Sequence, residues 1–188
     1  FGFDTVWPCR ARHTSAVLSE CDNCKCRSAT LACQKVNSGF FMQFNFQPRL
    51  QNRQLDLRPM EVDDCAALTV AASDPEIWAG HPAKNRYLPE IFLSYFSFLL
   101  ASETTLIITE TDTKSVIGCS RYYIAPDQPK GVSIGYTFLT RAHWGGATNF
   151  RLKSLMLGHI FAAGRTAWFH IDPSNQRSQA ATCKLGAQ

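Results

Sequence analysis

Hydrophobic and polar positions change their period several times along the chain after residue 53, and each change marks a predicted element. Alternating or β-branched apolar runs predict strands over residues 54–58, 105–109, 115–124, 132–139 and 166–171. Three- and four-residue apolar spacing predicts helices over residues 61–72, 88–101, 150–163 and 175–185. The order is strand, two helices, three strands, helix, strand, helix. It predicts an α+β fold with helices packed against a mixed, mostly antiparallel twisted sheet.

The strand–helix–strand unit near the end of the sequence has the clearest pattern. Residues 132–139 alternate with a period of two, and residues 150–163 then change to a helical period. A connection of this length is expected to bring strands 132–139 and 166–171 side by side and parallel. The buried face of the helix is expected to contain Leu152, Leu155, Met156, Ile160 and Ala163. The positions expected to face away from it are Arg151, Lys153 and Ser154.

Cysteine is concentrated at the start of the chain. Of eight cysteines, five precede Met42: Cys9, Cys21, Cys24, Cys26 and Cys33. They could bind zinc or form disulfides in a secreted chain, but zinc sites of this kind have two regularly spaced pairs, so no metal site is expected. Residues 1–41 also lack periodicity and the features of a signal peptide. We interpret them as a disordered leader or translated upstream sequence before a domain at 42–188, and retain a zinc-stabilised interaction protein as an alternative.

Composition excludes several classes of protein. The 188 residues are 45% hydrophobic and 18% charged, which is enough apolar material for a core and argues against disorder. A net charge of +4 is divided between both parts of the chain, so no nucleic-acid partner is expected. The most hydrophobic segment, residues 88–101, is too short to span a bilayer and includes Glu90. These features favour a soluble protein with no membrane partner, and the absence of a targeting signal favours a cytoplasmic one.

The segment between strand 132–139 and helix 150–163 has the composition of an anion site. It spans residues 143–149 and reads H-W-G-G-A-T-N. Unpaired amides at a helix N-terminus attract phosphate, and glycine lets the backbone approach a ligand closely. The alternative is an ordinary helix entry capped by Thr148 or Asn149. The segment has neither the G-K-S/T of a P-loop nor a G-x-G-x-x-G fingerprint.

Three motifs follow one another along the chain: G-Y-T-F-L from Gly135, W-G-G-A-T-N from Trp144, and N-x-x-S-x-x-A-x-x-K-L-G-A from Asn175. At this separation they resemble the GNAT superfamily of N-acetyltransferases, nearest to its RimJ/RimL-like branch. The resemblance extends from about Gln54 to the C-terminus. The family loop reads Q/R-x-x-G-x-G/A, and Ala142 stands where glutamine or arginine is expected.

The resemblance implies acetyl-CoA as co-substrate, bound where strands 132–139 and 166–171 splay apart. A primary amine of a small molecule or a protein N-terminus would attack the thioester directly, with no covalent enzyme intermediate. Ser178 is the implied acid for the departing thiolate. The implied cofactor-binding residues are Phe138, Leu139, Trp144, Gly145, Gly146, Ala147, Thr148 and Asn175. Asn175 as a helix cap and Ser178 as an exposed helical residue are the local alternatives.

Two departures from the family pattern leave questions open. No acid begins the G-Y strand, so the general base stays unassigned among Glu110, His81, Tyr136 and a water relay. The family usually continues past K-L-G-A with two more strands. Without them, the fold is expected to lack its last strands and to leave an open edge beside residues 166–171 that invites homodimerisation. The alternative function is a non-catalytic remnant of the fold that binds CoA or protein.

Overall fold

The computed structural model describes residues 7–11 and 43–186, which form a seven-stranded sheet flanked by helices. The strands are β1 (Trp7–Ala11), β2 (Leu50–Gln51), β3 (Leu55–Pro59), β4 (Thr105–Glu110), β5 (Val116–Tyr123), β6 (Val132–Leu139) and β7 (Ala167–Ile171). The α-helices are α1 (Cys65–Ala71), α2 (Pro89–Ala101), α3 (Thr148–Ala162) and α4 (Gln176–Cys183). The predicted α+β class is confirmed. None of the described helices is long and apolar enough to cross a membrane.

The sheet has the strand order β1-β7-β6-β5-β4-β3-β2. Strands β6 and β7 are parallel, as predicted, and every other pair is antiparallel. The prediction of an open edge beside residues 166–171 is wrong, because β1 pairs with β7 there. The pairing runs from Trp7 opposite Ile171 to Ala11 opposite Ala167. The edge offered for strand addition between two copies is therefore occupied. The rest of the predicted leader, residues 1–6 and 12–41, lies outside the described residues.

Alternation along β4 divides the core between the two faces of the sheet. Leu106 and Ile108 pack on one face with α3, whereas Ile107 packs on the other face with α1 and α2. Helix α2 contributes Phe92, Tyr95, Phe96 and Leu99 to the second core. Ile91 of the same helix is exposed, although its spacing from Phe92 and Tyr95 fits the apolar pattern. Burial of each of the four α2 side chains in this core stabilises the fold by about 1.5–3 kcal/mol, and this holds α2 against the sheet.

Helix α3 differs from its predicted form in two ways. Lys153 is buried, although the apolar pattern placed it on the outer face. The helix begins at Thr148 with Ala147 as its N-cap, so neither Thr148 nor Asn149 caps it. No side chain of the described residues therefore accepts a hydrogen bond from the first backbone N–H groups of this helix. These N–H groups are left available beside the preceding loop.

A β-bulge interrupts the pairing of β5 with β6. Two residues of β6, Tyr136 and Thr137, lie opposite the single residue Ser120. Tyr136 has a φ of 53°, a left-handed conformation that is rare for a bulky residue. One residue before Cys119, a Cβ on Gly118 would lie 2.0 Å from the carbonyl oxygen of Phe138, so only glycine fits there. A bulge of this kind bends its strand, and this one lies just beyond the last residue of β6 that pairs with β7, Ser133.

Candidate active site

A cleft opens between the two parallel strands directly beyond their last paired residues. Strands β6 and β7 pair at Val132 with Ala167 and at Ser133 with Trp168, and no later pair is formed between them. A cavity of about 290 Å³ follows, with residues 134–139 on one wall and 169–172 on the other. The bulge of β6 lies in the first wall. Strand divergence therefore creates a slot into which an extended ligand could enter.

The loop before α3 lies at this slot. His143, Trp144 and Gly145 line the cavity, and the Trp144 Nε1–H donates to the carbonyl oxygen of Leu139 at 3.0 Å. Gly145 has a φ of 71° and no atom within 4 Å of the position of a Cβ, so its backbone is open to solvent. The backbone N–H groups from Gly145 to Ala147 donate to no acceptor in the described residues. Together with the N-terminus of α3 they form a set of hydrogen-bond donors suited to an anion.

The start of α4 closes the other side of the slot. Asn175 caps this helix, because its Oδ1 accepts the N–H of Ser178 at 3.1 Å, and both side chains line the cavity. The Ser178 hydroxyl makes no hydrogen bond to the described residues. Arg177 lies over the Trp144 ring, with its guanidinium carbon 3.7 Å from the ring centroid, and donates to the Ile77 carbonyl oxygen at 3.1 Å. This stacked arginine was not identified from the sequence.

The structure places most, but not all, of the implied site residues at one cavity. Those that line it are Phe138, Leu139, Trp144, Gly145, Asn175 and Ser178. Gly146, Ala147 and Thr148 lie beside its mouth and form no part of its wall. Their amides, rather than their side chains, are the groups available to a ligand. Asn149, which was not among the implied residues, does line the cavity.

The three candidate bases have different surroundings. Glu110 lies outside the cavity wall, and the hydrogen bond from His143 Nε2, 3.1 Å from its Oε1, lowers the pKa of its carboxyl group. His81 lies in the wall, but burial and the charge of Arg86 lower its pKa to about 4. Tyr136 also lies in the wall, at the bulge. A carboxylate or imidazole whose pKa is lowered is a weaker proton acceptor near neutral pH.

Lys153 is a side chain of the cavity wall that the sequence pattern placed wrongly on the outer face of α3. It lines the cavity from α3, and its Nζ donates to Thr137 Oγ1 at 2.6 Å and to Ser120 Oγ at 3.4 Å. Burial lowers the pKa of its ammonium group to about 7. The available signal was the spacing of Leu157 and Ile160, four and seven positions later, which extends the buried stripe to include position 153.

The described residues contain no cluster of three or more His, Cys, Asp or Glu side chains that could hold a metal ion. Of the leader cysteines, Cys9 lies in β1, and the other four fall outside the described residues. The zinc alternative therefore concerns a part of the chain that the structure does not describe.

The fold and the cleft define an α+β protein with a slot between two parallel strands and anion donors at its mouth. The model of the acetyltransferase (GNAT) domain matches residues 54–188, and the chain belongs to this family. The family fold implies acetyl transfer from acetyl-CoA. No curated protein matches the sequence closely enough to count as a relative.

Solved acetyltransferases share the fold at low sequence identity. A probable GNAT-family acetyltransferase from Chromobacterium violaceum superposes with a TM-score of 0.68 at 19% identity, over 85% of this chain and 84% of its own. A GNAT-family acetyltransferase from Bacillus anthracis gives 0.62 at 13% identity, over 74% and 82%. RimJ from Mycobacterium smegmatis, in complex with CoA-disulfide, gives 0.51 at 19% identity, over 69% and 68%. These likenesses support the fold.

Proposed function

We propose that this protein transfers the acetyl group of acetyl-CoA to a primary amine, on a small molecule or a peptide N-terminus, in a ternary complex. The observation that carries the proposal is the slot that opens where β6 and β7 stop pairing, with the Gly145 loop at its mouth. A slot between strands offers backbone groups to an extended amide-bearing arm, and the helix entry offers amides to a diphosphate. The co-substrate favours the cytoplasm as the location.

The pyrophosphate of acetyl-CoA is assigned to the loop before α3. The N–H groups of Gly145, Gly146 and Ala147 and the N-terminal turn from Thr148 would donate to it. Arg177, stacked on Trp144 at the same mouth, adds a positive charge that could pair with a phosphate oxygen. The charged side chain absent at Ala142 is thereby replaced from α4.

The pantetheine arm and thioester are assigned to the slot itself. Backbone groups of β6 near Phe138 and Leu139, and the amide of Asn175, would pair with the arm. The carbonyl of Leu139 already accepts the Trp144 indole N–H, so it retains one acceptor site. A backbone N–H beside the bulge would polarise the thioester carbonyl, because charge develops on that oxygen as the amine attacks.

The chemistry then needs positioning and two proton movements. The amine nitrogen attacks the thioester carbon and loses a proton, the C–S bond breaks, and the thiolate takes a proton. The free hydroxyl of Ser178 is the proposed donor to that thiolate. As in the RimJ/RimL-like branch, no covalent bond to the enzyme is required.

The acceptor is assigned to the side of the slot formed by α2 and its preceding loop. There the guanidinium carbon of Arg86 lies 3.8 Å from the Tyr95 ring centroid and 5.6 Å from that of Trp78. No carboxylate of the described residues forms an ion pair with Arg86. An unpaired guanidinium in a cleft favours acceptors that carry an anionic group near the amine.

Two measurements on the full chain test this proposal and its alternative. Calorimetric titration with CoA measures binding, and thiol release from acetyl-CoA measures turnover with peptides, polyamines, aminoglycosides and amino acids. Turnover with any amine supports the transferase. Binding of CoA without turnover supports the non-catalytic remnant. The absence of both binding and turnover would contradict the transferase and a CoA-binding remnant alike.

A glycine substitution tests the loop assignment. Gly145→Val places a β-branched residue at a φ of 71°, which disfavours the observed loop by about 1–2 kcal/mol and should raise the Kd for CoA by about tenfold or more. Gly158→Ala is the control, because a Cβ at this helical position meets nothing within 4 Å. Unchanged CoA affinity in Gly145→Val would refute the assignment of the pyrophosphate to this loop.

A further inference from the structure

Lys153 is a buried cation at the wall of the slot, held by two hydroxyl groups. Its Nζ donates to Thr137 Oγ1 at 2.6 Å and to Ser120 Oγ at 3.4 Å, and these two hydroxyls lie 2.7 Å apart. An ammonium group has three N–H donors, so the described residues use two of them. Thr137 follows the bulged residue of β6 and also lines the cavity. The third N–H of the ammonium group is left for a ligand in the slot.

The charge on Lys153 has no counterion in the described residues. Their ion pairs do not include it, and the aromatic ring of Phe169 lies 5.8 Å from Nζ. An unpaired buried ammonium is unfavourable, and burial lowers the pKa of Lys153 to about 7. The neutral amine is therefore populated near neutral pH. The titratable group that interacts with it electrostatically is Cys119 of β5, a buried thiol whose pKa is raised by burial. The other titratable and charged groups that line the same cavity are Tyr95, Tyr136, Arg86, Arg177, His81, His143, His170 and Asp172.

Other groups in the slot are less suited to accept a proton. His81 has a pKa of about 4 because of burial, and its Nδ1 already accepts the N–H of Ala83. Both ring nitrogens of His170 lie within hydrogen-bond distance of other side chains, Tyr123 at 3.0 Å and Asp127 at 3.4 Å. Asp172 lies at the exposed end of the slot with a lowered pKa, because it accepts hydrogen bonds from Ser174.

We propose that Lys153, in its neutral form, accepts the proton of the attacking amine in the acetyl transfer. This inference rests on the proposed function. The step balances: the amine nitrogen forms the C–N bond, the C–S bond breaks, and one amine proton passes to Nζ, directly or through the Thr137 hydroxyl. The thiolate takes a proton through Ser178. Lys153 then returns its proton to solvent through the slot, and solvent restores the Ser178 hydroxyl.

Three variants separate this role from a structural one. Lys153→Met keeps the length and removes the proton acceptor, Lys153→Arg keeps a positive charge that does not deprotonate, and Lys130→Met is an exposed control. Rates for one amine are measured from pH 6 to 9, and CoA affinity is measured for each variant to verify the fold. The ratio of wild-type to variant rate cancels the titration of the amine itself.

We expect Lys153→Met to lower kcat by about 10²–10⁴-fold above pH 7, with CoA affinity retained. The ratio of wild-type to Lys153→Met kcat should rise about fivefold from pH 6 to pH 7 and level off above about pH 8. Lys153→Arg should not restore activity. A ratio independent of pH, rescue by arginine, or loss of CoA affinity in place of kcat would each overturn the inference. Failure of the wild-type protein to acetylate any amine would instead contradict the proposed function.

Discussion

Substitution of Lys153 by methionine should change how stability depends on pH. In the folded protein its pKa is about 7, against the ordinary 10.5, because burial disfavours the charged form. Between these two values the unfolded chain binds more protons than the folded protein, so this group makes stability rise with pH. Below pH 7 both states are protonated and the full penalty applies. At one unit of pKa per about 1.4 kcal/mol, that penalty is about 5 kcal/mol.

Only part of this range is accessible to experiment. Between pH 6 and pH 9 the contribution of Lys153 should change by about 2–3 kcal/mol. Urea unfolding followed by tryptophan fluorescence at pH 6, 7.5 and 9 measures it as the difference between wild-type protein and Lys153→Met. The wild type should gain stability relative to the variant as pH rises. Lys130→Met should show no such trend, and parallel curves for wild type and Lys153→Met would refute the reasoning.

Three further outcomes follow from the site and its supports. Gly118→Ala should lower the free energy of unfolding by about 1–3 kcal/mol, measured by urea, because its Cβ meets the Phe138 carbonyl, whereas Gly158→Ala should not destabilise. Ser178→Ala should lower kcat by about tenfold or more with CoA affinity unchanged. Ser178→Thr keeps a hydroxyl and should retain activity. Equal losses of kcat in the two variants would contradict Ser178 as the proton donor. Arg86→Met should reduce the preference in kcat/KM for a carboxylate-bearing amine over its amide by about tenfold, and an unchanged preference would remove the anionic acceptor.

The elements of the domain could be predicted because their patterns are local. Strand β6 alternates strictly, and α3 changes to a helical period, so their type and parallel relation to β7 followed from short stretches of sequence. Strand β1 could not be predicted in this way. Its five residues, W-P-C-R-A, have no clear alternation, and their pairing with β7 depends on contacts far along the chain.

The site was predictable where glycine and capping chemistry set the backbone. Gly145 and Asn175 have short-range signals, and both lie at the cavity. The bulge at Tyr136 and the inward direction of Lys153 depend on how β5, β6 and α3 pack. A tyrosine with positive φ and a lysine without an acidic partner both violate local preferences, so pattern alone assigns them ordinary positions.

The pairing of β1 with β7 has a consequence for how the protein is made. The outer support of the slot joins two segments that are separated by nearly the whole described chain. Closing so long a loop is slow, and on the ribosome β7 emerges long after β1. The central antiparallel strands can assemble earlier, so the slot between β6 and β7 should be the last feature to mature during biosynthesis.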